Sequence, residues 1–134
     1  GRQGSLTSPS HIGGGVVFAP KPRDYSMKLN KKEKANAIKS VLTSKVNEEK
    51  FIVLDEFKLD EIKTKKFVEV MNNLEVAKAL VVTKDNDQNI VLSAKNVPSV
   101  KTALTNTINV YDILKYDTVV ITKDAVAAIE EVYA

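Results

Sequence analysis

After residue 30 the apolar positions of this chain fall into two alternating patterns, and before it they follow neither. Ile38, Val41, Leu42 and Val46 recur at helical spacing, with Lys34, Lys39 and Lys45 elsewhere on the same helix. Asn30 is a good cap for that helix, and Glu33 can reach back to the cap's own amide. Phe51 to Leu54 then reads as a short strand. Thr64 is expected to cap a helix through about Leu74 whose buried side carries Phe67, Val68, Met71 and Leu74. Ala79 to Val82 is the next strand, and the DNDQN turn at 85 to 89 leads to a short helix around Ile90 to Lys95, ended by Val97-Pro98. Val100 to Leu104 is a weaker strand, Val110 to Lys115 a brief helix and Thr118 to Ile121 a strand. Thr122 is read as the cap of a last helix bearing Val126, Ile129 and Val132.

Strand cores such as FIVL, ALVV and VVI are continuous apolar runs, the mark of a parallel sheet covered on both faces. The predicted class is α/β, with a mainly parallel sheet of about four strands and helices on both faces. Lys101 and Thr102 interrupt the third strand, which places it at an edge. Residues 30 to 134 read as this globular domain, and 1 to 29 as an extended, basic, glycine-rich arm. All five glycines lie within the first 15 residues and three of the four prolines within the first 22, so at most a short extended piece, Val16 to Ala19, is expected there. A core of its own is out of reach for such a segment.

Charge sharpens the division. Residues 1 to 34 hold seven bases (Arg2, Lys21, Arg23, Lys28, Lys31, Lys32, Lys34) against two acids (Asp24, Glu33), while residues 51 to 134 carry ten bases and thirteen acids. Bases spread along an extended segment and a helix entry can track a phosphate backbone over a length no compact pocket offers. His11, Phe18 and Tyr25 interleave with them and could stack on unpaired bases, although Phe18 could also dock the arm on its own domain. The bland alternative is a solvated basic loop.

Other chemistry is thinly supported. Gly13, Gly14 and Gly15 could cradle a phosphate, but they do not join a strand to a helix and no phosphate-loop motif occurs. Asp55 and Glu56 end an apolar strand as magnesium-holding acids do, yet without a phosphate loop they read as solvated strand-end residues. Asp85 and Asp87 read as a polar turn, not a calcium loop. His11 follows Ser8 and Ser10 without an acid partner or an oxyanion site, so contact with phosphate or base suits it better than catalysis. With no cysteine, disulfides and thiolate zinc sites are excluded, which fits a reducing compartment, and one histidine excludes a multi-histidine metal site. No apolar run exceeds five residues, far short of the roughly 20 that cross a bilayer. No cofactor, metal or membrane partner is expected.

The segment RQGSLTSPSHIGGGVVFAPKPRDYSMKLNKKEK closely resembles the loop and following helix entry of the uL4 family of bacterial large-subunit ribosomal proteins, with GSLTSP and GGGVVFAPKPR its most specific pieces. FIVLDEFKLDEIKTKKFVEVMNNL, NIVLSAKNVPSV and INVYDILKYDTVVIT continue the resemblance to the C-terminus. It implies a non-enzymatic structural constituent of cytoplasmic ribosomes, bound to large-subunit ribosomal RNA and neighbouring ribosomal proteins, with a long extension reaching the peptide exit tunnel. Some members also bind leader messenger RNA of their own operon. By the resemblance Arg2, His11, Lys21, Arg23, Lys28, Lys31, Lys32 and Lys34 face RNA, and Gly4, Gly13, Gly14 and Gly15 allow close backbone approach. The family begins earlier, with a strand, a helix and the outgoing limb of the loop, so this chain is expected to be less stable than a protein that carries them. The rival readings are a small α/β nucleotide-binding enzyme built on Gly13 to Gly15 and Asp55, and a stand-alone RNA-binding regulator.

Overall fold

The apolar runs become four strands, β1 (Phe51–Leu54), β2 (Ala79–Thr83), β3 (Val100–Leu104) and β4 (Thr118–Thr122). In the computed structural model, which describes residues 4–133, they form one parallel sheet in the order β1-β4-β2-β3. The central pair, β2 and β4, is buried along most of its length, whereas β1 and β3 at the margins are half-covered. The edge position expected for β3 is found, with Lys101 exposed on it.

Among the described residues five helices cover the sheet: α1 (Lys31–Asn47), α2 (Thr64–Asn73), α3 (Gln88–Ala94), α4 (Val110–Lys115) and α5 (Lys123–Tyr133). Alternate strand residues divide the core in two. On one face Val81 and Val120 meet Phe67 and Met71 of α2, Ile90 and Ala94 of α3, and Phe57 and Leu59 from the loop after β1. The Phe57 and Phe67 rings meet edge to face at 5.9 Å. On the other, Leu80, Val82, Val119 and Ile121 meet Ile38, Val41 and Leu42 of α1, Ile113 of α4, and Ala125 and Ile129 of α5.

Several details differ from the sequence expectation. Val46 is exposed and Lys45 takes the inward position, its stem buried and its Nζ donating to the Asp117 carbonyl at 3.0 Å. In α2 the inward set is Phe67, Val70, Met71 and Leu74, and Val68 lies one step round the helix, exposed. Lys63, not Thr64, is the cap of α2. Asp87 caps α3 by accepting from the Asn89 amide at 2.9 Å, so the helix starts inside the DNDQN turn. Thr122 ends β4 and directly precedes α5, and Val132 of α5 is exposed. Val16 to Ala19 pairs with nothing and forms no strand.

Candidate nucleic-acid interface

Residues 4 to 29 contain no helix or strand, yet the glycine-rich part is not extended. Between Ser5 and Gly15 the chain winds through successive turns. The amides of Ser8, His11 and Gly14 donate to the carbonyls of Ser5, Ser8 and His11, and the Gly15 amide closes the set on the Thr7 carbonyl at 2.9 Å. Hydroxyl contacts add to it, Ser5 with Thr7 at 2.9 Å and Ser8 with Ser10 at 3.1 Å. Gly13 has φ 80°, a left-handed conformation that side chains disfavour. At Gly14 the constraint is space, because a Cβ would overlap the Ser8 carbonyl oxygen. At Gly15 a Cβ would come 3.3 Å from the Thr7 carbonyl oxygen, a tight contact but not an overlap, whereas Gly4 is open and has φ 74°. His11 is half-buried within this cluster.

From Val16 to Asn30 the chain runs exposed to solvent. Phe18 is 94% exposed, so it does not dock the arm on the domain. Met27 and Tyr25 are likewise open. The Arg23 guanidinium carbon lies 4.2 Å from the centre of the Tyr25 ring, a cation–π contact that sequence spacing alone does not suggest. Asp24 turns back to accept from the Ser26 amide at 2.9 Å and its hydroxyl at 2.8 Å, which holds the Asp24 carboxyl below its ordinary pKa.

The arm enters α1 through a capping arrangement in which the Asn30 amide donates to Glu33 Oε2 at 2.9 Å. Residues 31 to 34 are fully exposed, and only from Ile38 does α1 reach the core. Lys31, Lys32 and Lys34 thus stand on a projecting turn, at the helix end where the backbone dipole disfavours cations. Lys21, Arg23 and Lys28 are exposed on the extended segment, and no ion pair among the described residues involves any of these six. Arg2 lies outside the described residues. The six described bases therefore stand exposed along one stretch of chain.

The rival site does not assemble. Asp55, Glu56, Asp85, Asp87 and Asp124 line a crevice of about 260 Å³ at the carboxyl ends of β1, β2 and β4, with Lys58 and Lys84. Gly13, Gly14 and Gly15 do not line it, and five carboxylates against two ammonium groups repel a phosphate. No set of three metal-ligating side chains gathers among the described residues, and none of their helices is long and apolar enough to cross a membrane.

The chain is thus a parallel α/β protein with a row of exposed cations along an arm and a helix root and with carboxylates gathered at one end of its sheet. The model of the Ribosomal protein L4/L1 family matches residues 1–132, and the chain belongs to that family. It is 69% identical over 133 residues to the large ribosomal subunit protein uL4 of Agathobacter rectalis, and 68% identical over 133 residues to that of Lachnoclostridium phytofermentans. The uL4 protein of Thermoanaerobacter pseudethanolicus is 59% identical over the same length. Each match covers 99% of this chain and 65% of the relative, so the chain spans just under two thirds of the length of the curated relatives it matches.

Proposed function

We propose that this chain is a structural, non-catalytic constituent of the large ribosomal subunit that binds large-subunit ribosomal RNA through an arm, residues 1 to 29, anchored by the α/β domain, residues 30 to 134. The observation that carries this reading is the array of Lys21, Arg23, Lys28, Lys31, Lys32 and Lys34, all exposed and free of acid partners among the described residues. Such an array neutralises successive phosphates, and exposed Phe18 and Tyr25 offer faces to unpaired bases. His11 is assigned to the same RNA-facing segment, as is Arg2 by the sequence resemblance alone, and the turns around Gly13 to Gly15 would present backbone to the RNA. The relatives' name, large ribosomal subunit protein, supports the same assignment, with neighbouring ribosomal proteins and the cytoplasmic ribosome as its setting. The family resemblance directs the arm toward the peptide exit tunnel.

Ultraviolet crosslinking of the chain to a large-subunit ribosomal RNA fragment, followed by peptide mapping, tests the reading. Adducts are expected on peptides spanning residues 4 to 34, at Phe18 and Tyr25 first. Adducts confined to the α/β domain would contradict it.

A further inference from the structure

Within the arm, residues 23 to 26 tie their side chains together in a way that covers one face of an aromatic ring and leaves the other bare. The Arg23 guanidinium carbon stands over the Tyr25 ring, 4.2 Å from its centre. Tyr25 is nevertheless 73% exposed, so the opposite face of the ring is open to solvent. Asp24 adjoins Arg23 in sequence, yet its two carboxylate oxygens accept from the Ser26 amide at 2.9 Å and the Ser26 hydroxyl at 2.8 Å. No carboxylate among the described residues pairs with Arg23. The bend at 24 to 26 thus fixes the backbone that carries the ring and withholds the acid from the guanidinium. Phe18, likewise exposed, has no cation over it among the described residues.

We propose that Arg23 and Tyr25 form a platform for one unpaired RNA base, which stacks on the open face of Tyr25 while the exposed edge of the guanidinium takes a flanking phosphate. The inference rests on the RNA reading above and refines it. A paired base has both faces stacked inside its helix, so the platform favours single strands, loops and bulges, whereas an array of cations alone binds paired and unpaired RNA. Every base has a face to offer, so the platform selects for strand state and not for sequence. Asp24 is a positioning residue, acting through the bend that it makes with Ser26.

Binding of the full chain to a single-stranded RNA dodecamer and to an RNA duplex of the same length, across a salt series, reads the outcome. Tyr25→Leu should weaken binding of the single strand about five- to a hundredfold and leave the duplex affinity and both salt slopes unchanged. Tyr111→Leu, which removes another exposed ring beside a lysine, on α4, should change neither affinity. Asp24→Ala removes a negative charge, so charge alone predicts tighter binding of both RNAs by the same factor; the platform predicts instead that the ratio of single-strand to duplex affinity falls. A Tyr25→Leu effect that is absent or equal on the two RNAs, an equal loss from Tyr111→Leu, or an unchanged ratio in Asp24→Ala would overturn the platform and leave the cation array standing. Binding of neither RNA, or binding without salt dependence, would overturn the RNA reading and the platform with it.

Discussion

The carbonyl oxygen of Ser8 occupies the space where Gly14 would carry a side chain. Glycine at this position therefore serves the arm's own turns, and the close approach to RNA proposed for it would come in addition. Gly14→Ala should open the cluster and speed hydrogen exchange at the Gly15 amide, now bonded to the Thr7 carbonyl. The domain's urea midpoint should stay put, within about 0.5 kcal/mol, as for changes remote from a core. Unaltered exchange at Gly15 would count against the cluster.

Asp112 is 3% exposed and accepts from Lys101 Nζ at 2.6 Å and Asn109 Nδ2 at 2.9 Å, tying β3 to α4. Burial pushes its carboxyl pKa up, but the hydrogen bonds from Lys101 and Asn109, with the Lys101 charge, outweigh it and hold the value below the ordinary one. The carboxylate's contribution is thus full above the unfolded pKa of about 3.9 and is lost as pH falls through the lower folded value. Asp112→Asn should cost about 1 to 3 kcal/mol at neutral pH. The gap in urea midpoint between the two proteins should narrow as the pH falls below the unfolded pKa. A gap independent of pH would refute the linkage.

Glu49 and Glu75 have φ of 58° and 56°, the left-handed region, one residue beyond the caps of α1 and α2. Each position closes its helix in the same way, the Lys50 amide reaching the Lys45 carbonyl at 3.0 Å and the Val76 amide the Met71 carbonyl at 3.1 Å. A non-glycine residue there costs roughly 1–2 kcal/mol, partly offset by glycine's larger unfolded-state entropy. Glu49→Gly and Glu75→Gly should each raise stability by about 0.5 kcal/mol, read as a higher urea midpoint at constant slope. A fall in stability for both would show that the glutamate side chains matter more than the backbone.

The Ser93 hydroxyl is fully buried in α3 without a hydrogen-bond partner among the described residues. An orphaned polar group of this kind costs about 1–3 kcal/mol. Ser93→Ala should therefore stabilise the domain, by about 1 kcal/mol in thermal or urea unfolding. Destabilisation would mean that the hydroxyl has a partner in solution.

The sheet is legible in the sequence because FIVL, ALVV and VVI are apolar runs with no competing helical period, and every strand predicted for the domain forms at its expected place. Lys101 correctly marks an edge. Helix faces are harder to read. Lys45 counts as polar in any periodicity, yet its stem fills an inward position while its amine finds the Asp117 carbonyl. Helix ends hide for a different reason: no glycine follows residue 15, so α1 and α2 close on glutamates that give no C-terminal signal. In the candidate site the array of bases is visible as composition. The Gly14 packing on Ser8 and the stacking of Arg23 on Tyr25 are not, since both depend on dihedrals that polar, proline-containing sequence leaves open.

The arm's cations are expected to carry RNA binding, and the most direct test is to replace Lys21, Arg23, Lys28, Lys31, Lys32 and Lys34 by serine. The chain and this variant are each titrated with a large-subunit ribosomal RNA fragment across a salt series. Removing one phosphate interaction should reduce the log–log salt slope by about 0.7 to 0.9, so the variant is expected to bind far more weakly at low salt and with a nearly flat dependence. Equal affinity and equal slope for the two proteins would place RNA recognition on the α/β domain and contradict the account.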